Sequence, residues 1–106
     1  GRKISLQSIE NSLSLIFHKI PQYQIVVKNT LRGSILILKI GNKRDNLIEK
    51  KLKKIITRSS QDIEEGINKG EIKLHIQLTK DSSVFIYTER GKIPKIIYEE
   101  HGKHKS

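Results

Sequence analysis

In Thr88-Glu89-Arg90-Gly91-Lys92-Ile93-Pro94-Lys95, a lysine directly follows a glycine and precedes an apolar residue and a proline. A glycine before the lysine lets the backbone turn sharply and pass close to a ligand. Pro94 stiffens the segment behind it, and Ile96, Ile97 and Tyr98 can anchor that segment on a sheet. The expected product is a long ammonium arm on a loop held at both ends. On these residues alone Lys92 is either an ordinary surface lysine or a cation aimed at a phosphate, on a loop that includes Thr88, Arg90, Gly91, Ile93 and Pro94. An ammonium presented in this way offsets the negative charge that a phosphoryl group carries in a transition state.

The other chemistry-bearing residues do not assemble along the sequence. His101 and His104 are three apart near the C-terminus, but no carboxylate or thiol cluster completes a metal set, and no metal site is expected. Glu64-Glu65 and Glu99-Glu100 are adjacent pairs whose side chains diverge on a helix or strand, so neither is an acid/base couple. Ser59 and Ser60 have no base beside them. Cysteine is absent, which excludes disulfides and thiolate ligands and suits a reducing, cytoplasmic compartment.

The 106 residues fit one small domain, and their formal charge of +10 attracts polyanions such as nucleotides, coenzymes or nucleic acid. No apolar run approaches a membrane span. The chain opens on Gly-Arg-Lys without an initiator Met, and a piece of a longer protein is expected.

The elements that must position Lys92 follow from periodicity. "RKIS" has room for a short strand only. Ile9, Leu13, Ile16, Phe17 and Ile20 fall on one helical face, with Ser5 or Ser8 as cap and Pro21 as stop. "YQIVVKN" and "SILILKIG" read as strands joined by "TLRG", where Gly33 supplies a positive φ. A helix from Lys43 to Arg58 buries Ile48, Leu52, Ile55 and Ile56. A shorter one follows, capped by Ser59 or Ser60 and stopped at Gly70. "EIKLHIQLT" alternates cleanly, "VFIYT" suggests a further short strand, and residues 101–106 read as a flexible basic tail. The order predicts an α+β fold of the ferredoxin-like split β-α-β kind, an antiparallel sheet with helices on one face.

"ISLQSIENSLSLI", "YQIVV" and "RGKIPKIIYEE" together resemble the C-terminal domain of phenylacetate-CoA ligases, AMP-forming synthetases with relatives in capsular polysaccharide biosynthesis. Ile9 and Glu10 match that family's first helix, while Leu6 replaces its proline. Thr88, Gly91, Lys92, Ile93, Lys95, Ile96 and Ile97 fit its lysine loop. Arg90 stands where a small residue is common, and Lys95 where arginine is. The resemblance implies that residues 1–100 form a mobile domain, inactive alone, with Gly1 at the downstream edge of the hinge. A missing N-terminal adenylation domain would bind the acid, ATP and its magnesium. Lys92 would promote acyl-AMP formation before transfer to coenzyme A. Composition leaves a second reading open, a basic ferredoxin-like module for nucleic acid, although its "SILILKI" strand lacks the aromatics that stack bases.

Overall fold

The computed structural model describes residues 4–100 of the chain. Helix α1 covers Leu6–Ser14, strands β1 Tyr23–Thr30 and β2 Gly33–Ile40, helices α2 Asn46–Thr57 and α3 Gln61–Asn68, and strands β3 Ile72–Leu78 and β4 Ile96–Glu100. Side-chain caps set the helix starts: Ser5 Oγ accepts from Ser8 N, Asp45 Oδ1 from Leu47 N and Ile48 N, and Ser60 Oγ from Ile63 N. Each cap satisfies donors that the first helical turn leaves free. Asp45 is the cap the pattern missed, and it moves the start of α2 from Lys43 to Asn46.

Helix α1 ends well before Pro21. Ser12 Oγ and Ser14 Oγ bond back to the carbonyls of Ser8 and Asn11, a competition that weakens helices. The backbone then tightens, with Ile16 N donating to Leu13 O, and Ile16 and Phe17 pack on the core from a turn.

The sheet order is β3-β2-β1-β4, and the sheet is mixed rather than antiparallel. Only β1 and β2 run antiparallel, as the expected hairpin turning at Leu31 and Arg32; β2–β3 and β1–β4 are parallel. Among the described residues no strand lies between β2 and β3. An antiparallel split arrangement needs a first strand between β2 and β3. Of the "RKIS" segment, residues 2 and 3 lie outside the described region, and Ile4 and Ser5 lead into α1 without strand pairing. β3 therefore pairs with β2 directly, and a helical crossover between neighbouring strands makes them parallel. At the other edge "IIYEE" adds β4 beside β1.

Ile9, Leu13, Leu52 and Ile56 from α1 and α2 meet Tyr23, Ile25, Val27, Leu36, Leu38, Ile40, Ile72, Leu74 and Leu78 in one core. Alternate strand residues thus face the helices, as the period of two requires. Burying Leu52 completely stabilises the fold by about 1.5–3 kcal/mol relative to exposure. The opposite face is partly closed by the β3–β4 connection. β3 and β4 lie at opposite edges, so this connection must cross the end of the sheet where β2 and β3 finish and β1 and β4 begin. Lys92 is carried on that crossing.

Candidate functional site

The crossing is irregular where "VFIYT" suggested a strand. Ser82–Val84 form a single 3-10 turn, Phe85 is buried, and Ile86 to Lys92 are exposed. A strand is absent because a side chain has taken the place of a strand partner. The carboxamide of Gln24, on β1, accepts from Ile86 N at 2.9 Å and donates to Ile86 O at 2.8 Å. That two-bond exchange is what a neighbouring peptide group would otherwise offer.

Within the loop, Thr88 closes the turn that presents the lysine. Gly91 N donates to Thr88 O at 2.9 Å, Thr88 N donates to Lys92 O at 2.7 Å, and Lys92 N donates to Thr88 Oγ1 at 3.0 Å. Gly91 has φ +81°, a left-handed conformation that an L side chain resists. Thr88, Gly91 and Lys92 are therefore one hydrogen-bonded unit. Ile93 and Pro94, both half-buried, lead out of it to β4. Arg90 occupies an exposed corner of the turn, where no backbone bond depends on its side chain. The Lys92 ammonium is exposed and has no hydrogen bond or ion pair among the described residues. It reaches into solvent from a closed base.

The feet of the loop are tied to β1 and α1. Gln24 also donates to Pro94 O at 3.0 Å, and Lys39, its cross-strand neighbour on β2, donates to Val84 O at 2.7 Å. Next to Pro94, Lys95 Nζ lies 2.9 Å from Glu10 Oε2, and the Tyr23 hydroxyl donates to the same oxygen at 2.5 Å. The tyrosine bond, then the lysine, hold the Glu10 carboxyl below the usual carboxylate range. Burial, then the bond to Glu10, push the Tyr23 phenol far above its ordinary value. Both groups thus keep complementary protonation states at neutral pH.

Glu10, Gln24 and Lys39 brace the loop, a role that sequence reasoning assigned to none of them. Gln24 and Lys39 were legible only as polar positions among β-branched neighbours, on strand faces that alternation turns away from the helices. Gly1 and the 101–106 tail, with His101 and His104, lie outside the described residues. Among the described residues no three His, Cys, Asp or Glu groups gather as a metal site, and no helix is long and apolar enough to cross a membrane.

The positive charge is concentrated elsewhere. Lys50, Lys53, Lys54 and Arg58 on the outer face of α2 line, with Glu64 of α3, an open groove of about 450 Å³. None of these four cationic side chains has a partner among the described residues.

No protein-family model matches the chain, and no curated protein matches it.

Proposed function

We propose that this chain is the small mobile C-terminal domain of an AMP-forming acid–coenzyme A ligase similar to the phenylacetate-CoA ligases. In that role it completes a site whose other half, a large N-terminal adenylation domain, binds the carboxylic acid, ATP and magnesium. The acid's carboxylate oxygen attacks the α-phosphorus and pyrophosphate leaves. Lys92 contacts the attacking carboxylate and the phosphoryl oxygens, where a fixed positive charge lowers the barrier most in a site closed to water. The domain then turns away, and the coenzyme A thiol attacks the acyl carbon as AMP departs.

The observation that carries this reading is the Lys92 ammonium. It is exposed and unpaired among the described residues, on a turn closed by Thr88. A lysine folded under the sheet or neutralised by a carboxylate could not serve in trans.

The test uses the intact two-domain enzyme. Lys92→Ala should slow acyl-adenylate formation by on the order of 10²–10³-fold, while thiol transfer from preformed acyl-AMP proceeds at close to the unmodified rate. Equal, small losses in both half-reactions overturn the assignment.

One feature favours the second reading, a nucleic-acid-binding module: the unpaired cations along the α2 groove. That reading requires salt-sensitive binding of oligonucleotides by the isolated chain, lost when Lys50, Lys53 and Lys54 become Gln and indifferent to Lys92.

A further inference from the structure

We infer that Gln24 is the positioning residue of the Lys92 loop, a single buried carboxamide that fixes both of its feet. For the catalytic consequence this rests on the function proposed above; for the loop itself it does not. Gln24 is fully buried, and its one Nε2 donates to Ile86 O at 2.8 Å and Pro94 O at 3.0 Å. The two ends of the 86–94 loop are thereby drawn to one nitrogen. Two carbonyls and one N–H surround the amide, so only one orientation of it satisfies all three.

The loop has little else to hold it. From Ile86 to Lys92 every residue is exposed, and the Thr88 turn ties residues 88–92 to one another rather than to the sheet. The other anchors each hold one side only: Phe85 is buried just before the loop and the Tyr87 hydroxyl donates to Ser82 O at 3.0 Å. Lys39 holds Val84 before it, and Lys95 with Glu10 holds the chain after it. Gln24 alone bridges the two feet through hydrogen bonds. Without it the ends separate, and closing a loop of this length must be achieved against chain entropy. The sheet does not need the amide for its own pairing, because β1 is bonded through its backbone to β2 and β4. Gln24 therefore places Lys92, and does so from a site that touches no substrate.

In the unmodified chain the Ile86 amide, bonded to Gln24 Oε1, should exchange with solvent as slowly as amides of the β1–β2 ladder, although it belongs to no strand. Rapid exchange at Ile86 overturns the inference before any variant is made. Gln24→Met keeps the side-chain length and removes all three bonds. Exchange at Ile86 and Gly91 should then accelerate by at least about tenfold relative to the ladder amides. Ser34→Ala, which removes a buried hydrogen bond to Asn29 far from the loop, should move all amides together. If Gln24→Met behaves like Ser34→Ala, the clamp is refuted.

In the intact enzyme, Gln24→Met should lower kcat for adenylate formation on the order of 10²-fold, as a misplaced group does, with KM for ATP and acid held. Unchanged kcat despite a loosened loop overturns the positioning role. Exchange in the isolated chain judges the clamp, and Lys92→Ala judges the reaction, so failure of one is not failure of the other.

Discussion

Gly91 offers a measurement of how firmly the lysine turn is held, because the fold contains a matched control. Gly91 has φ +81° and Gly70 has φ +75°, and a Cβ added at either meets nothing within 4 Å. Alanine at either position thus incurs backbone strain with no steric clash. That strain is about 1–2 kcal/mol for an L residue in the left-handed region. The loss of chain freedom that alanine brings to the unfolded state returns about 0.4–1 kcal/mol. The net expectation is a destabilisation of roughly 1 kcal/mol.

At Gly70 this cost cannot be evaded. Glu71 N bonds to Gly66 O and Gly70 N to Ile67 O, the paired closure of a helix C-terminus that requires a left-handed residue between them. At Gly91 the cost can be evaded if the turn opens. Gly91→Ala is therefore limited by whichever is smaller, the strain or the free energy of reorganising the turn. Urea unfolding of Gly91→Ala and Gly70→Ala, with slopes checked for constancy, reads the comparison. For a domain of this size 1 kcal/mol corresponds to a Tm shift of about 4–8 °C. Equal losses mean that the turn is as rigid as a capped helix end. A loss of about 1 kcal/mol at Gly70 with none at Gly91 refutes the reasoning that Lys92 is presented from a fixed turn. Gly91→Asn should cost less than Gly91→Ala, since asparagine tolerates this region better.

Gly66→Ala should destabilise the chain despite alanine's better helix propensity, because its Cβ would fall 2.4 Å from Ile72 Cδ1 and 2.6 Å from Cγ1. Thermal melts should show Ile72→Val recovering part of that loss in the double variant, whereas simple additivity counts against the contact. Glu10 has a folded carboxyl held below its ordinary value, so its contribution is present above the unfolded value and disappears as pH falls through the folded one. Urea midpoints followed from neutral to acid pH should therefore fall less steeply in Glu10→Gln, and an unchanged acid slope contradicts the assignment.

Periodicity made the helices and most of their buried faces legible, although Ile20 is exposed beyond the end of α1 and Ile55 is only half-buried. Ile9 and Leu13, Leu52 and Ile56, and the Leu36-Leu38-Ile40 set all occupy the core. Local turn chemistry also survived: Ser5, Ser60, Gly33 and Gly70 act where their types suggested. Strand direction did not follow, because alternation specifies which face a residue takes and leaves its neighbour undefined. β3 reads equally well beside β2 in either orientation, and the helical crossover to a directly adjacent strand decided the matter. "IIYEE" is apolar for three residues only, too little to mark a strand without β1 to pair with. The "VFIYT" segment carries strand-forming residues, yet Gln24 bonds the backbone that a strand would have bonded. That contact spans 62 positions of sequence, beyond any local pattern.

The same long-range contacts explain why separated stretches of this sequence belong together. Glu10 comes from the first helix, Tyr23 and Gln24 from β1, Pro94 and Lys95 from the end of the loop, and all converge at the base of the turn bearing Lys92. None of the first three could be assigned chemistry from its own neighbourhood. Their common property is mechanical: Glu10, itself bonded by Tyr23, tethers Lys95, and Gln24 ties Ile86 and Pro94. Leu6 can occupy a first-turn position suited to proline because the Ser5 cap sets the start of α1. Lys95 meets Glu10 through one ammonium, a single-point contact where arginine would offer a fork. With this weaker outer tether, more of the restraint on the loop passes to the buried amide of Gln24. With leucine at position 6 and lysine at position 95, Lys92 keeps its place as long as that amide is kept.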